Sequence, residues 1–277
     1  MRCLIAVVLV AGLAPVFAHR QAPPVGASRP AFEVASVRPN TSGSGTISSR
    51  TLPGGRFEAI NIPVIQLVQS AYQLRAFQIV GAPAWLSDRY DVVAKAEGEF
   101  PPNTPGTIGA VPLMLQSLLA DRFDLVAHKE TRDMDIYALV RARADGQLGP
   151  RFRPSSLDCE AVWRTGVKPP PPPPVPGMRQ VQPCGMRAGG GNLVASAATL
   201  EVLTGNLSGA TSRIVEDRTG LTGRFDIDLS WASDVSADTT QPSIFTALQE
   251  QLGLKLESTR APVEILVIDS ISRPGPD

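Results

Sequence analysis

Few side chains in this sequence have the type and spacing to do chemistry. Nucleophilic and acid–base catalysis usually bring an imidazole within reach of a nucleophile and an orienting carboxylate. The chain has two histidines, His19 and His128. His128 stands in an alternating stretch and is followed by Lys129 and Glu130, the surroundings of a surface or strand-edge residue. No Gly-x-Ser-x-Gly elbow, Ser-x-x-Lys or His-Glu-x-x-His accompanies it. Paired carboxylates could hydrolyse a glycoside, and two pairs exist: Asp226 with Asp228, and Asp88 with Asp91 around Arg89. Both fall where a half-solvated strand places its polar residues. Gly189-Gly190-Gly191 lacks the lysine and the helix start of a phosphate loop. No calcium-loop spacing is present. The expectation is therefore no catalytic residue, no metal ligand, no cofactor and no enzymatic activity.

The three cysteines separate by position. Cys3 lies before an apolar run from Leu4 to Phe17, which follows the positive Arg2 and ends in Val16-Phe17-Ala18. That is the pattern of a secretory signal cleaved between Ala18 and His19. The run is shorter than the roughly 20 residues that span a bilayer, and no later stretch is apolar enough to cross. An exported protein, periplasmic or extracellular, is expected. In that setting Cys159 and Cys184 should pair as a disulfide, stabilising the fold by roughly 3 kcal/mol through loop closure. Metal ligation by this pair lacks further cysteine or histidine. With 26 basic and 26 acidic residues the chain is neutral, which argues against a nucleic-acid partner.

The elements that must carry these residues read as α+β. Phe32 to Val37 alternates as a strand, Gly43 to Gly55 reads as a loop, and Arg56 to Ala59 as a short strand. Val64, Leu67, Val68, Ala71 and Tyr72 make one helical face. Strands are expected at 77–80 and 90–95, and a helix carries Leu115, Leu118, Leu119 and Phe123. After it, 124–128 and 136–140 read as a strand pair joined by a charged turn. The second half repeats the order: a helix with Leu200, Leu203 and Leu207 ended by Gly209, a strand at 214–215, and a strand from Phe225 to Trp231. A helix with Ile244, Leu248 and Leu252 follows, stopped by Gly253, and then a strand pair at 254–257 and 265–271.

Arg89-Tyr90-Asp91 returns as Arg224-Phe225-Asp226, 135 positions later, and Leu119 and Phe123 return as Leu248 and Leu252, 129 positions later. Two tandem copies of a small βαββ-αββ unit account for this, with loop length taking up the difference. The expected organisation is a signal peptide at 1–18, a flexible leader at 19–30, a first module at 31–143, a proline- and glycine-rich spacer at 144–192 and a second module at 193–274. The uninterrupted prolines from Pro169 to Pro174 suit a semi-rigid spacer, which the Cys159–Cys184 bridge would close. Trp85 and Trp231 could line a ligand pocket, but each belongs to a strand or strand entry of its own unit, so core or inter-unit packing is expected instead. Trp163, in the spacer, is the exposed aromatic that could meet a ligand.

Several stretches resemble one family: residues Phe32 to Asn40, Gly81 to Leu86, Leu119 to Phe123, Asp217 to Asp226 and Glu250 to Leu256. They are similar to the exported proteins of unknown function expanded in soil Acidobacteria of the Solibacter type. Some relatives join this domain to a membrane zinc peptidase of the beta-lactamase-regulator type, but this chain lacks the peptidase motif. At the level of pattern, the helix, Leu252-Gly253-Leu254 and two strands also resemble the short N-terminal domain of secretins and TonB-dependent receptors, which binds envelope proteins. The family has no established activity. The fully used strand–helix pattern, with no convergent reactive groups, leads to the expectation of a binding or assembly module of the cell envelope, with envelope proteins or a small ligand as partner. The rival expectation is a secreted hydrolase with a site between the halves, or a sensory domain.

Overall fold

The computed structural model describes residues 29–101, 108–167, 169–170, 173–233 and 240–275. The signal segment, with Ala18 and His19, lies outside the described residues.

Three four-stranded sheets organise the chain. The first holds β1 (Val34–Pro39), β2 (Ser48–Leu52), β3 (Arg56–Pro63) and β5 (Arg89–Lys95), all antiparallel in the order β1-β5-β3-β2. Alternation along β5 buries Tyr90, Val92 and Ala94 while Arg89, Val93 and Lys95 face out. Helices α1 (Val64–Tyr72) and α2 (Ala110–Phe123) cover the apolar face, burying Leu67, Val68, Leu115, Leu119 and Phe123. Both helices stop at a left-handed residue, Gln73 and Asp124, whose N–H groups close the last turns.

Another outer sheet has the same strand order. It contains β7 (Phe152–Ser155), β8 (Met186–Gly189), β9 (Asn192–Ala198) and β11 (Arg224–Ser230), ordered β7-β11-β9-β8. Helix α4 (Leu200–Thr211) and the short α5 (Ile244–Ala247), which runs on as a π-helical turn to Leu252, cover it. Gly253, at φ 70°, stops that turn as its sequence position implied.

The sheet between them corrects the expectation of two self-contained modules. Residues 126–141 form one long strand, β6 (Val126–Arg141), with no turn at the charges, and β12 (Leu254–Ser270) does the same. The two pair antiparallel along nearly their whole length, from Leu254 opposite Arg141 to Ser270 opposite Val126. Two short strands flank the ribbon in parallel. β4 (Ile79–Val80), from the first half, pairs with Leu266 and Val267 of β12, and β10 (Val215–Asp217), from the second, pairs with Tyr137 to Leu139 of β6. Tyr137 and Leu266 are 129 positions apart, as are Phe123 and Leu252, so each half borrows the same piece of ladder from the other. The cores record the exchange. Leu266 and Ile268 are buried in the first, and Leu139 in the second.

Residues 144–192 are more than a spacer. They supply β7 and β8, the edge strands of the last sheet, and helix α3 (Cys159–Thr165). Asp158 caps α3 by accepting the Ala161 N–H, and Cys159 is bonded to Cys184 with Cα atoms 5.6 Å apart. Gly43 to Gly55, read as a loop, contains β2.

Candidate functional site: a glycine-floored cleft in the second half

The recurring Arg-aromatic-Asp step performs the same structural task in both halves. Arg89 donates from Nη1 to the Asn61 carbonyl at 3.0 Å, and Asp91 accepts the Asn61 N–H at 2.8 Å. Arg224 donates to the Ala197 carbonyl at 3.1 Å, and Asp226 accepts the Ala197 N–H at 2.9 Å. Asn61 and Ala197 are both buried and both left-handed, at φ 58° and 54°, where the adjacent strand bulges. The motif thus satisfies a backbone unit that the bulge removes from the ladder.

That assignment uses up the paired carboxylates. Asp91 also accepts from Asn40 Nδ2 at 2.7 Å, and Asp88 pairs with Arg273 at 2.9 Å, whose guanidinium lies over Trp85. Asp228 departs from the expected solvated face, being fully buried. Residues of the proline-rich segment cover it, and Arg179 fastens them there through a bidentate contact at 2.6 and 2.9 Å. The position 135 residues earlier is Val93, which is exposed, so the cover belongs to the second half alone.

His128 Nδ1 lies 2.9 Å from Asp269 Oδ2, with both side chains about half exposed on the outer ribbon. This is an imidazole oriented by a carboxylate, but among the described residues no hydroxyl or thiol bonds to the ring. Perturbed acids mark surface ion pairs. Arg50 lowers the Glu58 carboxyl, Arg132 lowers that of Glu130, and Arg143 holds Asp145 at about 2. Burial raises the Tyr72 and Tyr90 phenols. None of these groups lines a common cavity.

A cleft of about 630 Å³ opens between the β8–β9 hairpin, α4, the end of β11 and the start of α5. Its floor depends on glycine. Gly189, Gly190 and Gly191 all have positive φ, and a Cβ on Gly191 would collide with the Trp231 carbonyl. The Gly191 carbonyl accepts the Trp231 N–H at 2.8 Å, which sets the indole at the cleft wall. Asn206 and Ala210, one helical turn apart on α4, form another wall. Ser243 caps α5 by accepting the Thr246 N–H and brings Ile244 and the exposed Phe245 to the rim. The Ser233 hydroxyl oxygen is buried there without a hydrogen-bond partner among the described residues. At the corresponding turn of the first half, Gly55 accepts the Ala96 N–H at 2.8 Å. There, the Glu99 carboxylate receives the Gly54 N–H.

Another cavity of about 610 Å³ lies between β1 and the end of α2 and contains Arg38, Asp121, Arg122 and Asp124. Among its described lining residues two basic and two acidic side chains balance.

The family described as "Protein of unknown function (DUF3738)" matches residues 65–271. This chain belongs to the DUF3738 family. No curated protein matches it, and no solved structure does. The DUF3738 span contains every described lining residue of the cleft, both copies of the Arg-aromatic-Asp step and the disulfide. The sequence favoured core or inter-unit packing of Trp231 over a place in a pocket; it packs against the second core and lines the cleft as well. It missed Asn206, Ser233 and the hairpin. The available signal was three consecutive glycines two strands away from a tryptophan in the same half. Trp163 lies in α3, and its side chain is outside the described residues.

Proposed function

We propose that this DUF3738 protein is an exported, non-catalytic binding module whose ligand occupies the glycine-floored cleft. One observation carries the reading. Of the thirteen described residues that line the cleft, none has an ionisable side chain. Proton transfer and nucleophilic attack both need a group that can take or give a proton beside the reacting atoms. Glycine, amide, hydroxyl and aromatic groups can hold a ligand but offer no base.

Export is supported by the leader pattern and by a buried cysteine engaged in a disulfide, which suits an oxidising compartment. Descent of the halves from one duplicated unit is supported by their shared strand order and paired bulge clamps. On this reading the second copy diverged into a ligand site.

The test uses the mature protein and a library of uncharged small metabolites, scored by thermal shift and native mass spectrometry. A compound should stabilise the protein, and Ala210→Trp, on the exposed face of α4, should abolish the effect. Turnover of any compound that depends on His128 would overturn the non-catalytic reading in favour of a hydrolase. Failure of every compound to bind would remove the cleft as the site.

A further inference from the structure

We infer that this protein associates with a second copy of itself along the outer edge of β6, the two β6 strands pairing antiparallel about a twofold axis at Thr131.

The neighbours of β6 fix which way its peptide groups point. Tyr137 donates its N–H to the Ile214 carbonyl at 2.8 Å, and the Leu139 carbonyl accepts the Arg218 N–H at 2.9 Å. Odd-numbered residues therefore turn their N–H and C=O groups away from β12. The register with β12 is unbroken from Ala127 to Arg141, so Lys129, Thr131 and Asp133 point the same way. β10 covers this edge only at Tyr137 to Leu139. Among the described residues, the outward groups of Lys129, Thr131 and Asp133 receive one hydrogen bond, from Arg260 Nη2 to the Asp133 carbonyl at 3.1 Å. That oxygen keeps a second lone pair. Lys129, Thr131, Arg132 and Asp133 are all exposed. The matching edge of β12 is closed. Pro262, directly opposite Asp133, has no N–H to offer a further strand, and Gln78 Nε2 occupies the Glu264 carbonyl at 2.9 Å. One edge of the ribbon is thus blocked to pairing, while the other keeps its backbone groups available.

Charge selects the occupant. Outward from Thr131, Lys129 mirrors Asp133 and Glu130 mirrors Arg132. In an antiparallel pair centred on Thr131, each of these four side chains meets its opposite on the second copy. Glu130 and Arg132 fall in the non-hydrogen-bonded pairs, where side chains stand closest. Lys129, Thr131 and Asp133 exchange the backbone hydrogen bonds. Placing the axis on any other of these five residues sets a like charge against itself, which is unfavourable. Charges that guard an edge against strangers therefore admit this one partner in one register. Within a single copy Arg132 already holds Glu130 at 2.9 Å, and Lys129 reaches Glu264 at 2.7 Å. The second copy extends these pairs into networks. Open space of about 350 Å³ beside Asp133 and Asp135, walled by Phe77, Ser212, Arg213 and Ile214, receives the end of the incoming strand and bounds the ladder there. A ladder this short buries less than the roughly 1,200 Å² of a standard interface, so the association is reversible.

The test is sedimentation equilibrium of the mature protein from about 1 µM to about 500 µM, the range in which a small interface populates. The mass should climb from monomer toward dimer, and the dissociation constant should rise severalfold at about 0.5 M salt. Glu130→Arg and Arg132→Glu each place like charges across the axis, and each alone should weaken association by about tenfold or more. Mixed one to one, the two variants should pair with each other, because every cross-strand charge is then opposed. A fold damaged by substitution cannot give that rescue. Thr131→Pro removes the outward N–H at the axis and should leave a monomer with the parent's circular dichroism. Amide exchange at Lys129, Thr131 and Asp133 should slow as concentration rises. A monomer throughout the range overturns the inference, as does a dimer that both charge reversals leave intact. Full protection of those three amides at the lowest concentration also overturns it, since the chain would then cover its own edge.

Discussion

Arg179 holds Asp228 with three donors. Its own backbone N–H reaches Oδ2 at 2.6 Å, while Nε and Nη2 reach Oδ1 at 2.9 and 2.6 Å. The carboxylate is 1% exposed and the guanidinium 45%, so the negative partner is the buried one. Further donations from Arg179 go to Asn192 Oδ1, the Leu229 carbonyl and Ser230 Oγ. One side chain therefore ties the proline-rich segment to β9 and β11, and through Asn192 to the cleft.

Removing only the cation leaves a buried anion with the residue-179 backbone N–H as its remaining contact on that side, which costs about 3 kcal/mol. Arg179→Ala should lower the urea midpoint accordingly, and Arg179→Ala/Asp228→Asn should recover part of the loss. Arg179→Lys should recover little, because a point charge cannot reproduce the fork. Equal stability of Arg179→Ala and the parent would show that the segment is not pinned by this pair.

The bulge clamps predict matched effects in the two halves. Asp226→Ala leaves the buried Ala197 N–H without a partner, and Asp91→Ala does the same to Asn61, each at about 1–3 kcal/mol. The backbone demand separates them. Asparagine tolerates a left-handed conformation, while alanine is strained there by roughly 1–2 kcal/mol. Ala197→Gly should therefore be neutral or stabilising in chemical denaturation, and Ala197→Val clearly destabilising. A loss on Ala197→Gly as large as that of Asp226→Ala would contradict the assigned strain.

What the sequence revealed and concealed follows from burial. Helices α1 and α2 and strands β5 and β11 each press one face on a core, so Leu67, Leu119, Val92 and Ile227 repeat at a helix or strand period. The middle of β6 has no such signature, although on β12 Ala261, Val263 and Ile265 are buried in alternation with exposed Pro262 and Glu264. There β6 and β12 pair mainly with each other, β4 and β10 adding only five residues, and residues 129–135 are charged or exposed apart from the half-buried Met134, so Lys129 to Asp135 read as a turn. The burial of Asp228 was equally invisible, because its cover lies 49 positions away and carries no periodic pattern. Pairing of Cys159 with Cys184 was legible from composition and compartment alone.

Asp145 offers a local check on the electrostatics. Its carboxylate accepts from Arg143 Nε and Nη2 and from the Gln147 N–H, which together hold it at about 2. A lowered acid contributes stability above the ordinary carboxylate range and loses it as pH falls toward 2. In an NMR titration Asp145 should thus change protonation near 2, and Arg143→Ala should move the midpoint up toward the usual range near 3.9. At full exposure the pair should have almost no effect on global stability at neutral pH.

The exchanged ribbon makes the sharpest claim about folding. A fragment ending at 143 keeps α1, α2 and the first sheet but loses Leu266 and Ile268, both buried in its core, and β12 beside β6. Removing two large core side chains typically costs about 2–5 kcal/mol each, against total stabilities of about 5–15 kcal/mol for a domain. The separated strand β6 would also expose sixteen residues of unpaired backbone edge. Fragments 29–150 and 151–277 should therefore each be unfolded or aggregated alone by circular dichroism. When refolded together they should assemble into a one-to-one complex, because every borrowed strand is then supplied in trans. The intact chain should unfold in a single transition seen alike by Trp fluorescence and far-ultraviolet signal. Two separable transitions, or a well-dispersed NMR spectrum from either fragment alone, would mean that each half completes its own core and that the ribbon only joins them.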